Sequence, residues 1–152
     1  RPDHLHILWS TGPRYHEAVQ ATLDEFGNPD WVHPSPYFDN MPDILAAADL
    51  TVSRAGAMFT AELLNQGLPG ILVPLPSAAA DHQTHNARAL AEAGAAVFTP
   101  ESGLTGEILW AQLTRLAGDR VALERMAVAA TSLARPEAAD QIAASVERFV
   151  AS

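Results

Sequence analysis

Three short stretches bring together side chains that could act chemically. In SRAGAMFTAE, Ser53 to Glu62, a Gly56-Ala57 pair follows the apolar run DLTV, and a lone carboxylate, Glu62, stands six residues after the glycine. Small residues at the carboxyl end of a strand let a helix begin with its amides exposed, which is a common way of holding diphosphates. Residues three and four apart share a helix face, so Glu62 stacks over Met58 and Phe59. A carboxylate in that place can accept hydrogen bonds from two ribose hydroxyls. The plainer account of these residues is a tight strand–helix turn with a solvated glutamate.

The second stretch is DHQTHN, Asp81 to Asn86. Asp81 reads as an N-cap, His82 and Gln83 fall in the first helical turn, and Asn86 lies one turn on. Neutral donors and acceptors at a helix start suit sugar hydroxyls, which need both. Two other accounts stay open here: zinc held by Asp81, His82 and His85, or a plain capped surface helix. The third stretch is YFDNMPDIL, Tyr37 to Leu45, where an aromatic extended segment ahead of a short helix could flank a planar base, with the Phe38 backbone reading its edge. Core packing of Tyr37 and Phe38 is the alternative. The other histidines are scattered: His4 and His6 alternate on a strand, and His16 and His33 have no evident partner. No serine–histidine–acid or paired-carboxylate pattern stands out as a catalytic base.

Elements that position these residues follow from the punctuation of the chain. Leu5 to Gly12 reads as a buried strand ending in a turn, and Pro13 to Gly27 as a helix with proline at its start and glycine at its stop. Trp31 to Phe38 is extended but holds two prolines, so it is not a central strand throughout. A short helix follows, with Asn40 as its cap. Then LTVS is a strand, Ala57 to Gln66 a helix, Gly70 to Pro76 a strand closed by prolines, Asp81 to Ala93 a helix stopped by Gly94, and AAVFT a strand. Three helices close the chain, over Thr105 to Leu116, Asp119 to Thr131 and Pro136 to Val150. Strands alternating with helices at this spacing predict right-handed βαβ units and a parallel sheet of about five strands. The fold class is therefore α/β, a Rossmann-like parallel sheet with flanking helices. The first strand has almost nothing before it, and no GxGxxG follows it, as if the first βα unit, which usually carries the main phosphate loop, were missing.

Composition narrows the possible functions. A chain of 152 residues suits one domain. It has no cysteine, which removes disulfides, thiolate nucleophiles and cysteine–zinc sites. Its nine basic residues are all arginine, so a phosphate-binding lysine and a Schiff base are excluded as well. A net charge of −9 without a basic cluster argues against nucleic acid as a partner. No apolar run approaches the length of a spanning helix, and no signal peptide is visible.

Taken in order, the string SRAGA…E…GLP…LVPLP…DHQ…NA…L…AGAA resembles the C-terminal, donor-binding half of the MurG-type bacterial peptidoglycan glycosyltransferases of family 28. The likeness is close from Tyr37 to Ala96 and looser but continuous on either side. It implies one half of a GT-B fold, with residues 1–152 as a single donor-binding domain, a fragment of a two-domain enzyme. The implied reaction moves N-acetylglucosamine from UDP to a lipid-linked acceptor, converting lipid I to lipid II, with no cofactor and no metal. The resemblance also implies residue roles. Phe38 meets uracil through its backbone, Gly56, Ala57, Met58 and Phe59 face the diphosphate, and Glu62 holds the ribose. His82 and Gln83 contact the sugar, and Asn86 supports their helix. The acceptor, most membrane contact and the general base would belong to an absent N-terminal domain. This implies a cytoplasmic enzyme peripheral to the inner face of the plasma membrane, and a fragment inactive alone. Two positions depart from the family pattern. Phe59 stands where threonine is usual, with Thr60 next, and Trp9-Ser10 replaces a histidine–glutamine pair ahead of Thr11-Gly12. Other UDP-sugar enzymes of GT-B type, a UDP-sugar epimerase, and a non-catalytic donor-binding subunit working beside a partner chain are the alternatives.

Overall fold

The computed structural model describes residues 5–150, so His4 lies outside the described residues. The chain separates into two compact units, residues 1–48 and 49–152. In the first, strand β1 (Ile7–Ser10) pairs in parallel with β2 (Val32–Ser35), and helix α1 (His16–Glu25) connects them. Helix α2 (Met41–Ala47) follows. Pro34 sits in β2 opposite Trp9, tolerable because, among the described residues, β2 has a strand on one side only. The expectation of a buried first strand fails: Leu8 and Trp9 are both more than two-fifths exposed. A two-stranded ladder crossed by one helix has too little material to cover both of its faces. His6 and His33 stack with ring centroids 5.4 Å apart, a pairing across the two strands that spacing along the chain did not reveal.

The second unit carries the regular alternation. Strands β3 (Thr51–Ser53), β4 (Gly70–Leu72) and β5 (Ala96–Phe98) form a parallel sheet in that order, with β4 in the middle. Helix α3 (Ala57–Gln66) links β3 to β4, and α4 (His82–Glu92) links β4 to β5. Ile71 and Leu72 are fully buried and Val73 nearly so, as a continuous apolar run in a strand covered on both faces requires. Fully burying a side chain such as Ile71 or Leu72 contributes roughly 1.5–3 kcal/mol. The core lies where Ile71 meets Leu116 of α5 (Gly106–Ala117) and Leu123 and Met126 of α6 (Arg120–Leu133). The Thr105 hydroxyl accepts from the Ile108 amide and the Asp119 carboxylate from the Ala122 amide, so both helices start on side-chain caps. Helix α7 (Ala138–Val150) follows.

Helix α3 stops at Gly67, which has φ 62° while the Leu68 amide donates back to the Leu63 carbonyl at 2.9 Å. Gly94, with φ 78°, ends α4 in the same way. The same left-handed closure at Gly27, with φ 80°, is why Gly27 and Gly94, read from sequence as helix stops, act as stops.

Candidate functional site

The carboxyl ends of β3 and β4 lie side by side, and the segments leaving them gather most of the chemically equipped residues. β3 ends at Ser53, the chain turns through Arg54 and Ala55, and Gly56 stands at the N-cap of α3. No side chain caps this helix and no acid lies in its first turn, so the amides of its first residues are left for another acceptor. Met58 is 82% exposed, and Glu62, one turn on, is also exposed; Phe59 is half-buried. Thr60 is buried, and its hydroxyl donates back to the carbonyls of Gly56 and Ala57 at 3.0 Å each. The hydroxyl one place beyond the family's usual threonine is thus committed to the helix itself.

Helix α4 reaches this turn with two side chains. The Gln83 Oε1 accepts from the Leu75 amide at 3.0 Å and from the Ala55 amide at 3.3 Å. The Asn86 side-chain amide donates to the Ala55 carbonyl at 3.0 Å. The peptide groups on both sides of Ala55, itself fully buried, are therefore clasped just ahead of Gly56. With Oε1 engaged, the Gln83 contribution to a ligand reduces to its amide donors.

The start of α4 differs from the expected cap. Ala80 and Asp81 both take left-handed conformations, at φ 48° and 54°, and the Asp81 carboxylate makes no capping bond. A capping side chain needs extended backbone to turn toward the first amides, and the left-handed turn directs it away. Asn40 likewise occupies the N-cap of α2 without capping it, and its side-chain amide donates to the Asp43 carboxylate instead. His82 is exposed, and its Nδ1 lies 2.7 Å from the Ala79 carbonyl. A carbonyl only accepts, so Nδ1 carries a proton, and Nε2 is the ring nitrogen left for a ligand. Among the described residues no three His, Asp or Glu side chains converge as metal ligands, Asp81, His82 and His85 included.

Sequence reading missed Arg54 and Glu101. The guanidinium forks onto Glu101 at 2.9 and 3.1 Å and also donates to the carbonyls of Val73 and Pro74 at 3.2 and 3.1 Å. The hydrogen bond from Arg54, reinforced by its charge, holds the Glu101 carboxyl below the ordinary 4.5, while Glu101 raises the Arg54 guanidinium. Forty-seven positions separate the two, and no local pattern signals the pair. Phe38 belongs to the other unit. It is half-buried in the irregular segment between β2 and α2, beside Tyr37, which is 68% exposed. Neither is the core residue that the plainer reading made of them.

Comparison with known proteins places this arrangement. A family model described as the glycosyltransferase family 28 C-terminal domain matches residues 2–142. The chain belongs to glycosyltransferase family 28. Its family 28 relatives include the UDP-N-acetylglucosamine--N-acetylmuramyl-(pentapeptide) pyrophosphoryl-undecaprenol N-acetylglucosamine transferase of Desulforamulus reducens, 43% identical over 97% of this chain and 41% of that protein. The protein of the same name from Salinibacter ruber is 44% identical over 93% of this chain and 37% of its own length. The crystal structure of Acinetobacter baumannii MurG superposes with a TM-score of 0.83 at 34% identity, over 95% of this chain and 43% of that one. The fold is thus α/β, one half of a GT-B architecture. The family 28 chain described here spans about two fifths of the length of the curated relatives it matches.

Proposed function

We propose that residues 1–152 act as one UDP-N-acetylglucosamine-binding domain of an N-acetylglucosaminyltransferase that glycosylates a lipid-linked acceptor. The observation that carries this reading is the uncapped start of α3, with Gly56 at its head, Glu62 exposed one turn on and the start of α4 clasped against it. The amides of Ala57, Met58 and Phe59 hold the diphosphate, and Glu62 accepts the ribose hydroxyls. As the glycosidic bond breaks, negative charge grows on the departing UDP. The positive end of α3 stabilises it there without any metal. His82 Nε2 accepts from, and the Gln83 amide donates to, the N-acetylglucosamine, with Asn86 holding their helix to the turn. Phe38 meets the uracil through its backbone.

The acceptor hydroxyl needs a base within hydrogen-bond reach. We assign that base, the lipid-linked acceptor and most membrane contact to the part of the relatives' length that this chain does not span. The whole protein then works at the inner face of the plasma membrane. Among the described residues no helix is long and apolar enough to cross a membrane. Alone, the chain is expected to bind donor weakly and to give no turnover.

Calorimetric or NMR titration with UDP-N-acetylglucosamine, beside UDP-glucose and a Glu62→Ala variant, tests the proposal. Preference for the N-acetyl sugar, lost in the variant, supports it. No binding here, nor in a protein of the relatives' full length with the same substitution series, sinks it.

A further inference from the structure

We propose that Arg54 is a positioning residue: held by Glu101, its guanidinium fixes the turn ahead of α3 and does not itself meet the anionic ligand. The inference rests on the nucleotide-sugar reading above. In a chain without lysine, an arginine two residues before the helix start is the obvious phosphate ligand, and it is the one basic residue in the three chemically equipped stretches. The geometry argues otherwise. Nη1 serves three acceptors, the Val73 and Pro74 carbonyls and Glu101, while Nη2 takes the second carboxylate oxygen. A fork on a carboxylate neutralises the charge that would attract a diphosphate, and its planar geometry fixes direction as well as distance.

The partners of the fork explain what it positions. Val73 and Pro74 follow the end of β4, and Glu101 lies beyond the end of β5, so Arg54 ties the segments leaving three strands together at one end of the sheet. A cleft of about 380 Å³, lined by Val52, Ser53, Val73, Leu104 and Leu109, lies alongside the pair, and the buried Ser53 hydroxyl has no hydrogen-bond partner among the described residues. Gln83 and Asn86 in turn clasp the Ala55 peptides. The turn bearing Gly56 is therefore held by a charged fork at Arg54 and by neutral side-chain amides at Ala55. Loss of either lets the α3 amides drift from a common focus.

Glu101→Gln separates the two roles by sign. A phosphate-binding Arg54 would be released by this variant, and UDP-N-acetylglucosamine would bind as tightly or more tightly. A positioning Arg54 loses its anchor, and affinity falls about tenfold. Amide hydrogen exchange without ligand gives a second readout: exchange at Ala55 accelerates about tenfold in Glu101→Gln and Arg54→Lys, while α6 amides stay as in the parent chain. Unchanged exchange at Ala55, or undiminished donor affinity in Glu101→Gln where the parent binds, overturns the proposal. If exchange responds but neither the parent chain nor a protein of the relatives' full length binds donor, the brace stands and the nucleotide-sugar reading fails.

Discussion

At Gly56 the backbone has φ −65° and ψ 142°, and a methyl group added there would meet nothing within 4 Å. The turn itself therefore accepts any residue, and a requirement for glycine must come from what approaches it. Gly56→Ala should leave thermal stability within about 0.5 kcal/mol of the parent yet weaken donor binding about tenfold. Equal loss of both would mean that the glycine serves the fold. Glu62 is exposed and, among the described residues, its side chain makes no hydrogen bond that steadies α3, so Glu62→Ala should spare the melting temperature. Hydrogen bonds to a charged group contribute about 1.5–3 kcal/mol, and titration should show that loss in donor affinity. Gln83 differs because its Oε1 serves two backbone amides at once. Gln83→Leu orphans both and should destabilise the chain by about 1–3 kcal/mol in denaturant unfolding, whereas Gln83→Glu keeps the acceptor and much of the stability.

Among the elements, the junction of α3 and β4 is the least forgiving. A Cβ at Gly67 would stand 2.7 Å from the Thr131 hydroxyl of α6, on a backbone already left-handed. Left-handed geometry alone costs an alanine about 1–2 kcal/mol, so Gly67→Ala should lower the melting temperature visibly, and a neutral result would refute the close packing of α3 on α6. At the start of α5 the Thr105 hydroxyl and the backbone amide of Glu107 itself depress the Glu107 carboxyl below 4.5, as Arg54 depresses Glu101. A carboxyl that gives up its proton more readily when folded adds stability above its unfolded pKa. That contribution disappears as pH falls through the lower folded value. Thermal stability should therefore decline on acidification below about pH 4.5, and less steeply in Glu107→Gln; identical profiles would remove Glu107 from the account.

At the scale of the molecule, α7 carries an exposed apolar stripe, on which Ile142 and Val146, one turn apart, are 65% and 56% exposed. Exposed apolar stripes of this kind drive association. Sedimentation of the 152-residue chain should show weight-average mass rising with concentration, and the Ile142→Glu/Val146→Glu pair should suppress the rise without lowering the melting temperature. A monomer at all concentrations would show that the stripe is inert in water.

Local chemistry was legible in the order of residues. Strand–helix alternation, the glycine stops at Gly27 and Gly94, the α3 span and the chemically equipped stretches at Gly56 and Asp81 depend on periodicity and on backbone preferences that act within a few residues. Asp81 and Asn40 are the local failures, because their cap positions were right but the backbone and a neighbouring carboxylate turned their side chains elsewhere. Long-range pairing was not legible. That Arg54 meets Glu101, that Gln83 spends its oxygen on Ala55 and Leu75, and that the strands form two ladders all depend on residues far apart in the chain. Sequence order determined which groups this protein possesses. Tertiary structure decided which of them are already occupied, because hydrogen-bond geometry fixes partners only once the strand ends have come together.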